Sequence, residues 1–167
     1  MTQEAMTAEV RALLSSLTSQ RNHVLGVLEG LSDEALRRPV LPSGWTCLGL
    51  VRHLALDVER FWFRAVVGGE TAELESGDGA WQVAPDVLSE EIFALYRREI
   101  EHADAIIAST PADAEPAWWP ETIFPGLPPR PLRTTVLHVI TETACHAGHL
   151  DAVRELVDGR TWLVLTD

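Results

Sequence analysis

The sequence predicts an all-α protein, a four-helix bundle, and three observations carry that expectation. Apolar residues recur at three- and four-residue steps over four long segments, the period of a helix with one buried face. Gly30, Pro39, Gly68-Gly69, Pro111 and Gly159 fall at or just beyond the ends of those segments, where helix breakers belong. Two of the connections are long, which suits either simple up-down or crossed topology. With 167 residues and 46% hydrophobic content, the chain is expected to form a single domain over 1–167 with a substantial core.

The first helix is expected from about Thr7 to Glu29, with Val10, Leu13, Leu14, Leu17, Val24, Leu25 and Leu28 on its apolar stripe and Gly30 as its stop. A short helical turn follows over Ser32–Leu36, capped by Ser32. Pro39 and Pro42-Ser43-Gly44 then break the chain. The second helix runs from about Thr46 to Val67 and ends at Gly68-Gly69. Leu48, Leu50, Val51, Leu54, Leu56, Val58, Phe61, Trp62 and Phe63 nearly surround it, so it reads as largely buried. Ser89-Glu90-Glu91 offers a capping residue and first-turn carboxylates for a third helix reaching about Ser109. The fourth follows Pro131 and spans about Leu132–Val157 before Gly159. Between the last two lies a proline-rich connection, residues 111–131, carrying Trp118, Trp119 and Phe124. Long ordered loops are often functional. This one either covers the mouth of a pocket or is a stiffened crossover whose aromatics plug one end of the core.

Composition narrows the function. The formal net charge of −12 argues against a nucleic-acid partner, because phosphate binding needs clustered cations. Arg37-Arg38 and Arg97-Arg98 read as solvated surface pairs. All thirteen basic residues are arginine, which fits the coding bias of a GC-rich genome. No apolar run approaches the roughly 20 residues of a membrane span, and the start, Met1-Thr2-Gln3-Glu4-Ala5, lacks the basic and apolar regions of a signal peptide. Cys47 and Cys145 form no CxxC unit. A reduced, cytoplasmic protein is expected.

The chemistry concentrates in His53, Glu142 and His146. Glu142 and His146 stand four residues apart, so a helix stacks them on one face with Cβ atoms about 6 Å apart. His53 lies within the apolar run of the second helix and can supply a third donor from across the bundle. Three protein ligands leave a coordination position open on a divalent ion, the arrangement of a catalytic rather than a structural metal site. On a helical wheel with Leu132 at zero, His146 falls about 40° away, on the core side, and Glu142 about 80° away, at its margin. A carboxylate there is costly unless paired or metal-bound, although a salt bridge between Glu142 and His146 would itself suffice. His138 and His149 flank the pair as a possible fourth ligand, proton shuttle or half-exposed surface. Asp57, four residues after His53, either orients that imidazole or is a solvated acid beside Arg60. His23 and His102 read as surface. Cys145 and His146 are consecutive and so point about 100° apart, unsuited to a Cys–His nucleophile pair. Cys47 reads as core. No glycine-rich phosphate loop, nucleophile elbow or dinucleotide fingerprint is present.

The stretch Pro42-Ser43-Gly44-Trp45-Thr46-Cys47-Leu48-Gly49-Leu50-Val51-Arg52-His53-Leu54 and the stretch Glu142-Thr143-Ala144-Cys145-His146-Ala147-Gly148-His149-Leu150-Asp151 resemble the second- and fourth-helix motifs of the DinB/YfiT-like superfamily. The resemblance covers essentially the whole chain. It implies a bundle binding a divalent metal, most often zinc or nickel, through one residue of the second helix and two of the fourth. Many members carry His-x-x-x-His on the last helix. Glu142 takes the first of those positions here, a His/Glu/His set similar to that of the mycothiol-dependent maleylpyruvate isomerases. Only Thr161 to Asp167 follow the fourth helix here, so no second domain like that of those isomerases is expected, and maleylpyruvate is not the expected substrate. The resemblance further implies thiol chemistry, with mycothiol or a similar small-molecule thiol held by the metal as a thiolate and an electrophilic substrate as acceptor; a bound cation depresses a thiol pKa. A thiol S-transferase is therefore the expected function. A hydrolase of a small amide or ester using metal-bound water, and a non-catalytic metal-binding or dimerisation module, are the alternatives. A homodimer is expected from the resemblance and from the wide apolar surface of the second helix.

Overall fold

Apolar stripes bounded by capping side chains set each helix of the structure, a computed structural model that describes residues 6–72 and 77–162. Helix α1 is Ala8–Val27, α2 is Asp33–Arg37, α3 begins at Cys47, α4 is Ser89–Ser109 and α5 is Leu132–Asp158. No strand occurs among the described residues. The side chains of Thr7, Ser32 and Thr46 each accept a hydrogen bond from a backbone N–H three residues on, at Val10, Ala35 and Gly49, which satisfies donors that a helix start leaves open. Gly159 ends α5 in the left-handed conformation, φ 75°. The start of α4 differs from expectation. Leu88 holds the cap position without a side-chain bond, and the Ser89 hydroxyl donates to Asp33 Oδ1 instead, so it ties α4 to α2 rather than capping its own helix.

Helix α3 is wound in two ways. Cys47–His53 is α-helical, and Leu54–Val67 continues it as a π-helix. At its end the Gly68 N–H donates to Phe63 O, five residues back, at 2.8 Å. The buried pairs Leu50/Val51, Leu54/Ala55, Val58/Glu59, Trp62/Phe63 and Val66/Val67 recur every four residues. Ordinary α winding rotates such pairs by about 40° per step; the wider turn holds them toward the bundle axis. The apolar residues of α3 are thereby covered within one chain, so they leave no wide apolar surface to argue for a dimer.

The four long helices pack in a ring, α1 against α5, α5 against α3, α3 against α4 and α4 against α1. Side-chain contacts fix their directions. Arg133 pairs with Glu9 at the start of both α5 and α1, and Arg154 Nη1 donates to Val27 O where both end, so these two are parallel. His53 meets His146 while Trp62 meets His138, so α3 and α5 are antiparallel. Arg60 binds Glu99, and Gly68 lies by Ile106, so α4 runs parallel to α3. The order is up-down-down-up, the crossed alternative, and the described residues 77–88 lie back along α3, with Trp81 beside His53. The 111–131 connection closes the far end: Ala117 and Trp118 N–H groups donate to Val67 O and Val66 O, and Trp118, Trp119 and Phe124 pack on Phe61 and Trp62. Its aromatics plug that end of the core.

On α1 and α3 a buried charge breaks the apolar pattern. Arg21 on α1 is 1% exposed and Glu59 on α3 is also 1% exposed. They form a two-pronged pair, Nε to Oε1 at 2.7 Å and Nη2 to Oε2 at 2.6 Å, while Nη1 reaches Asp104 at 2.7 Å. Burial opposes both charges, raising the Glu59 pKa against the pull of Arg21. For Arg21 the two carboxylates overcome burial and hold its pKa above the ordinary value. Replacing Arg21 alone strands a buried carboxylate. Arg21→Met is expected to lower stability to urea by about 3–5 kcal/mol, and adding Glu59→Leu should recover most of that loss. Equal losses in the single and double variants would contradict this account of the core.

Candidate metal centre

Antiparallel packing of α3 and α5 brings His53, in the second turn of one, against Glu142 and His146, in the middle of the other. One ligand-type atom from each lies within 4.8 Å of the others. Glu142 Oε1 is 3.2 Å from His146 Nε2 and 3.9 Å from His53 Nε2. Ligand atoms sharing a tetrahedral ion at 2.0–2.2 Å stand about 3.4 Å apart, so the spacing matches a small divalent cation. Both imidazole side chains are 13% exposed and Glu142 is 37% exposed, which leaves the carboxylate side as the approach from solvent.

The hydrogen bonds leave one ring nitrogen of the cluster that a plain salt bridge does not satisfy. His53 Nδ1 is 2.8 Å from Asp57 Oδ2. An ionised carboxylate only accepts, so Nδ1 carries the proton and Nε2 presents its lone pair to the cluster. That buried Nε2 has no hydrogen-bond partner, and neither has His146 Nδ1. A buried polar atom left so is costly; a cation would satisfy His53 Nε2, whereas the Glu142–His146 contact alone does not. The chemistry of the donors fits as well, since two neutral imidazoles and one carboxylate suit zinc and its neighbours. Burial and the adjacent His53 lower the His146 pKa, which favours the neutral, ligating form. Asp57 is thus the orienting acceptor, while Arg60 turns to Glu99.

The flanking histidines stand apart from the three-atom cluster. His138 lies against the Trp62 ring at 4.8 Å, and burial lowers its pKa. His149 is exposed, with its ring 5.6 Å from His146 and 6.4 Å from Trp45. His102 is exposed as expected, and His23 is only partly exposed: it contacts Asp151 at 2.8 Å and stacks on Trp162 at 5.7 Å. Arg37, read as solvated, is held by Asp33 and the Ala84 and Val87 carbonyls. Cys47 is buried, which pushes its thiol up to about 11, and Cys145 is exposed.

Sequence reasoning missed Trp81. The returning segment makes a tight turn at Gly79–Trp81, and that indole stacks on His53 at 4.2 Å and meets His146 at 5.7 Å. Gly49 permits this approach, for a Cβ there would stand 2.3 Å from Trp81 O. Arg52 Nη1 donates to Gly79 O at 2.6 Å and holds the turn down. Only an isolated tryptophan after Gly77-Asp78-Gly79 marks the feature in sequence, with no periodicity to place it.

A family model described as MST: Mycothiol-S-transferase matches residues 12–159, a span that includes His53, Glu142 and His146. No curated protein matches the chain.

The Asp57 contact fixes the tautomer of His53. Nitrogen NMR of metal-free protein at pH 9, where an ordinary imidazole is neutral, should show His53 protonated at Nδ1, and Asp57→Ala should release a mixture of tautomers. A wild-type His53 protonated at Nε2 would contradict the geometry.

Proposed function

The chain belongs to the mycothiol-S-transferase family, within the DinB/YfiT-like superfamily, and on that footing we propose that it is a metal-dependent transferase moving a mycothiol-type thiol onto small electrophiles. His53, Glu142 and His146 hold the metal in this reading, zinc or nickel by resemblance. The observation that carries it is the buried, unpartnered His53 Nε2 facing a carboxylate and a second imidazole. Bound there, a divalent ion supplies charge that lowers a thiol's pKa, so that thiolate is available at neutral pH. With a single carboxylate among the ligands, the site keeps a net positive charge and favours an anionic guest over a neutral one.

The chain's own side chains do the rest. Asp57 keeps His53 in the tautomer that presents Nε2. Trp81 covers the outer face of His53 and excludes water from that side, which strengthens the electrostatics of the cluster. Glu142, the most exposed of the three, borders the path by which substrates enter. His149 and His138 lie outside the ligand set in this reading.

Cobalt-substituted protein tests the proposal. Addition of a small thiol should produce a sulfur-to-metal charge-transfer band, and an unchanged spectrum would contradict thiol binding at the metal. Chelator competition should show His146→Ala losing about 100-fold or more in metal affinity, against little change in His149→Ala. Undiminished affinity in His146→Ala would overturn the ligand assignment.

A further inference from the structure

Gly49, Arg52 and His53 stand three and four residues apart on α3, so they share one face of it. Each meets the Gly79–Trp81 turn. At Gly49 the Trp81 carbonyl comes so close that a Cβ would stand 2.3 Å from its oxygen. Arg52 Nη1 donates to Gly79 O at 2.6 Å. At His53 the indole of Trp81 lies 17° from the imidazole plane with centroids 4.2 Å apart, and it also meets the His146 ring edge-on at 5.7 Å. One indole thus bears on two rings that come from different helices.

The two ends of the turn differ. Beyond it, Arg37 binds Ala84 O and Val87 O and ties the segment to α2. Before it, Gly77 sits at φ 60° with nothing within 4 Å of an added Cβ, a left-handed position that glycine adopts without strain. Gly77, Asp78 and Gln82 are exposed, while Ala80 is fully buried. The turn is therefore a short flap, anchored on one side and latched to α3 by a charged donor on a carbonyl. What it controls follows from where it lies. Glu142, 37% exposed, stands on the solvent side, and both imidazole side chains are 13% exposed. An ion can arrive past Glu142, but it leaves only after both imidazoles let go, and a ring held under an indole cannot turn aside.

We propose that the Gly79–Trp81 turn is a latched flap over the imidazole pair, with Arg52 as its positioning residue, and that its opening sets how fast the two rings are released. The consequence for metal exchange rests on the metal-centred reading above; the flap itself does not. Metal-free protein tests the flap. Asp57 holds the proton on His53 Nδ1, so the nucleophilic atom of that ring is Nε2, buried in the cluster. Carbethoxylation by diethyl pyrocarbonate, followed residue by residue by mass spectrometry, should be slow at His53. Arg52→Met, which cuts the latch, Gly49→Ala, which pushes the Trp81 carbonyl away, and Trp81→Ala should each speed it by about tenfold, the worth of one good hydrogen bond. The exposed His102, the Nδ1 protonation of His53 and the helical circular dichroism should not change. In cobalt-loaded protein the same variants should release the ion to excess chelator faster by a similar factor, while uptake keeps the wild-type rate. Wild-type carbethoxylation in all three variants, or equal acceleration at His102, would overturn the flap. Faster carbethoxylation in a protein that takes no cobalt upholds the flap and removes the metal reading. Cobalt binding with unaltered carbethoxylation and release in the variants does the reverse.

Discussion

Removing charge from water is the constraint around which this bundle is arranged. A protein of 167 residues with 25 acidic and 13 basic side chains keeps most of them at its surface, and each one drawn inward needs a partner. Arg21 takes Glu59 and Asp104 across α1, α3 and α4. Glu99, 2% exposed, takes Arg60 and Arg64 from α3; burial works against its charge, and the two arginines more than offset this and lower its pKa. Arg154 caps backbone carbonyls at Val27 and Glu29 where α1 ends. These links fix which helices are neighbours and in which direction each runs. The same rule makes the candidate metal centre conspicuous, because two of the buried polar atoms without partners are ring nitrogens of His53 and His146.

Local signals made most of the fold legible. Thr46 caps α3 as its side-chain chemistry requires, Pro42-Ser43-Gly44 precedes it, and Gly159 adopts the left-handed cap that ends α5. The long apolar stripes gave the four helices because a 3.6-residue period has few other uses. The π winding of α3 was written in its four-residue step of buried pairs, yet the density of apolar residues around that helix hid the step. Helix order and direction depended on pairings such as Arg133 with Glu9 and Trp62 with His138, which no local window contains. Ser89 shows the limit of capping rules: a hydroxyl at the right place went to a nearby carboxylate, Asp33, instead.

Of the candidate centre, spacing revealed the Glu142/His146 pair, and the apolar setting of His53 suggested its partner. What spacing could not supply was the environment of each atom. The Asp57 contact that orients His53 was one of two readings of the same residue, and distance decided it. Trp81 arrives from a connection that has no periodicity, brought back because α3 and α4 are parallel. The topology and the site are linked in this way: a crossed bundle needs a long return segment, and that segment carries the aromatic cover of the cluster.

The central claim is that His53, Glu142 and His146 converge on one divalent ion with a position left for exchange. X-ray absorption of the zinc-loaded, thiol-free protein tests it most directly. The account predicts four nearest neighbours, all nitrogen or oxygen, at about 2.0–2.2 Å, with the outer-shell signature of two imidazoles. A sulfur neighbour at about 2.3 Å before any thiol is added would bring Cys145 or Cys47 into the ligand set and contradict it, as would a shell with no imidazole signature.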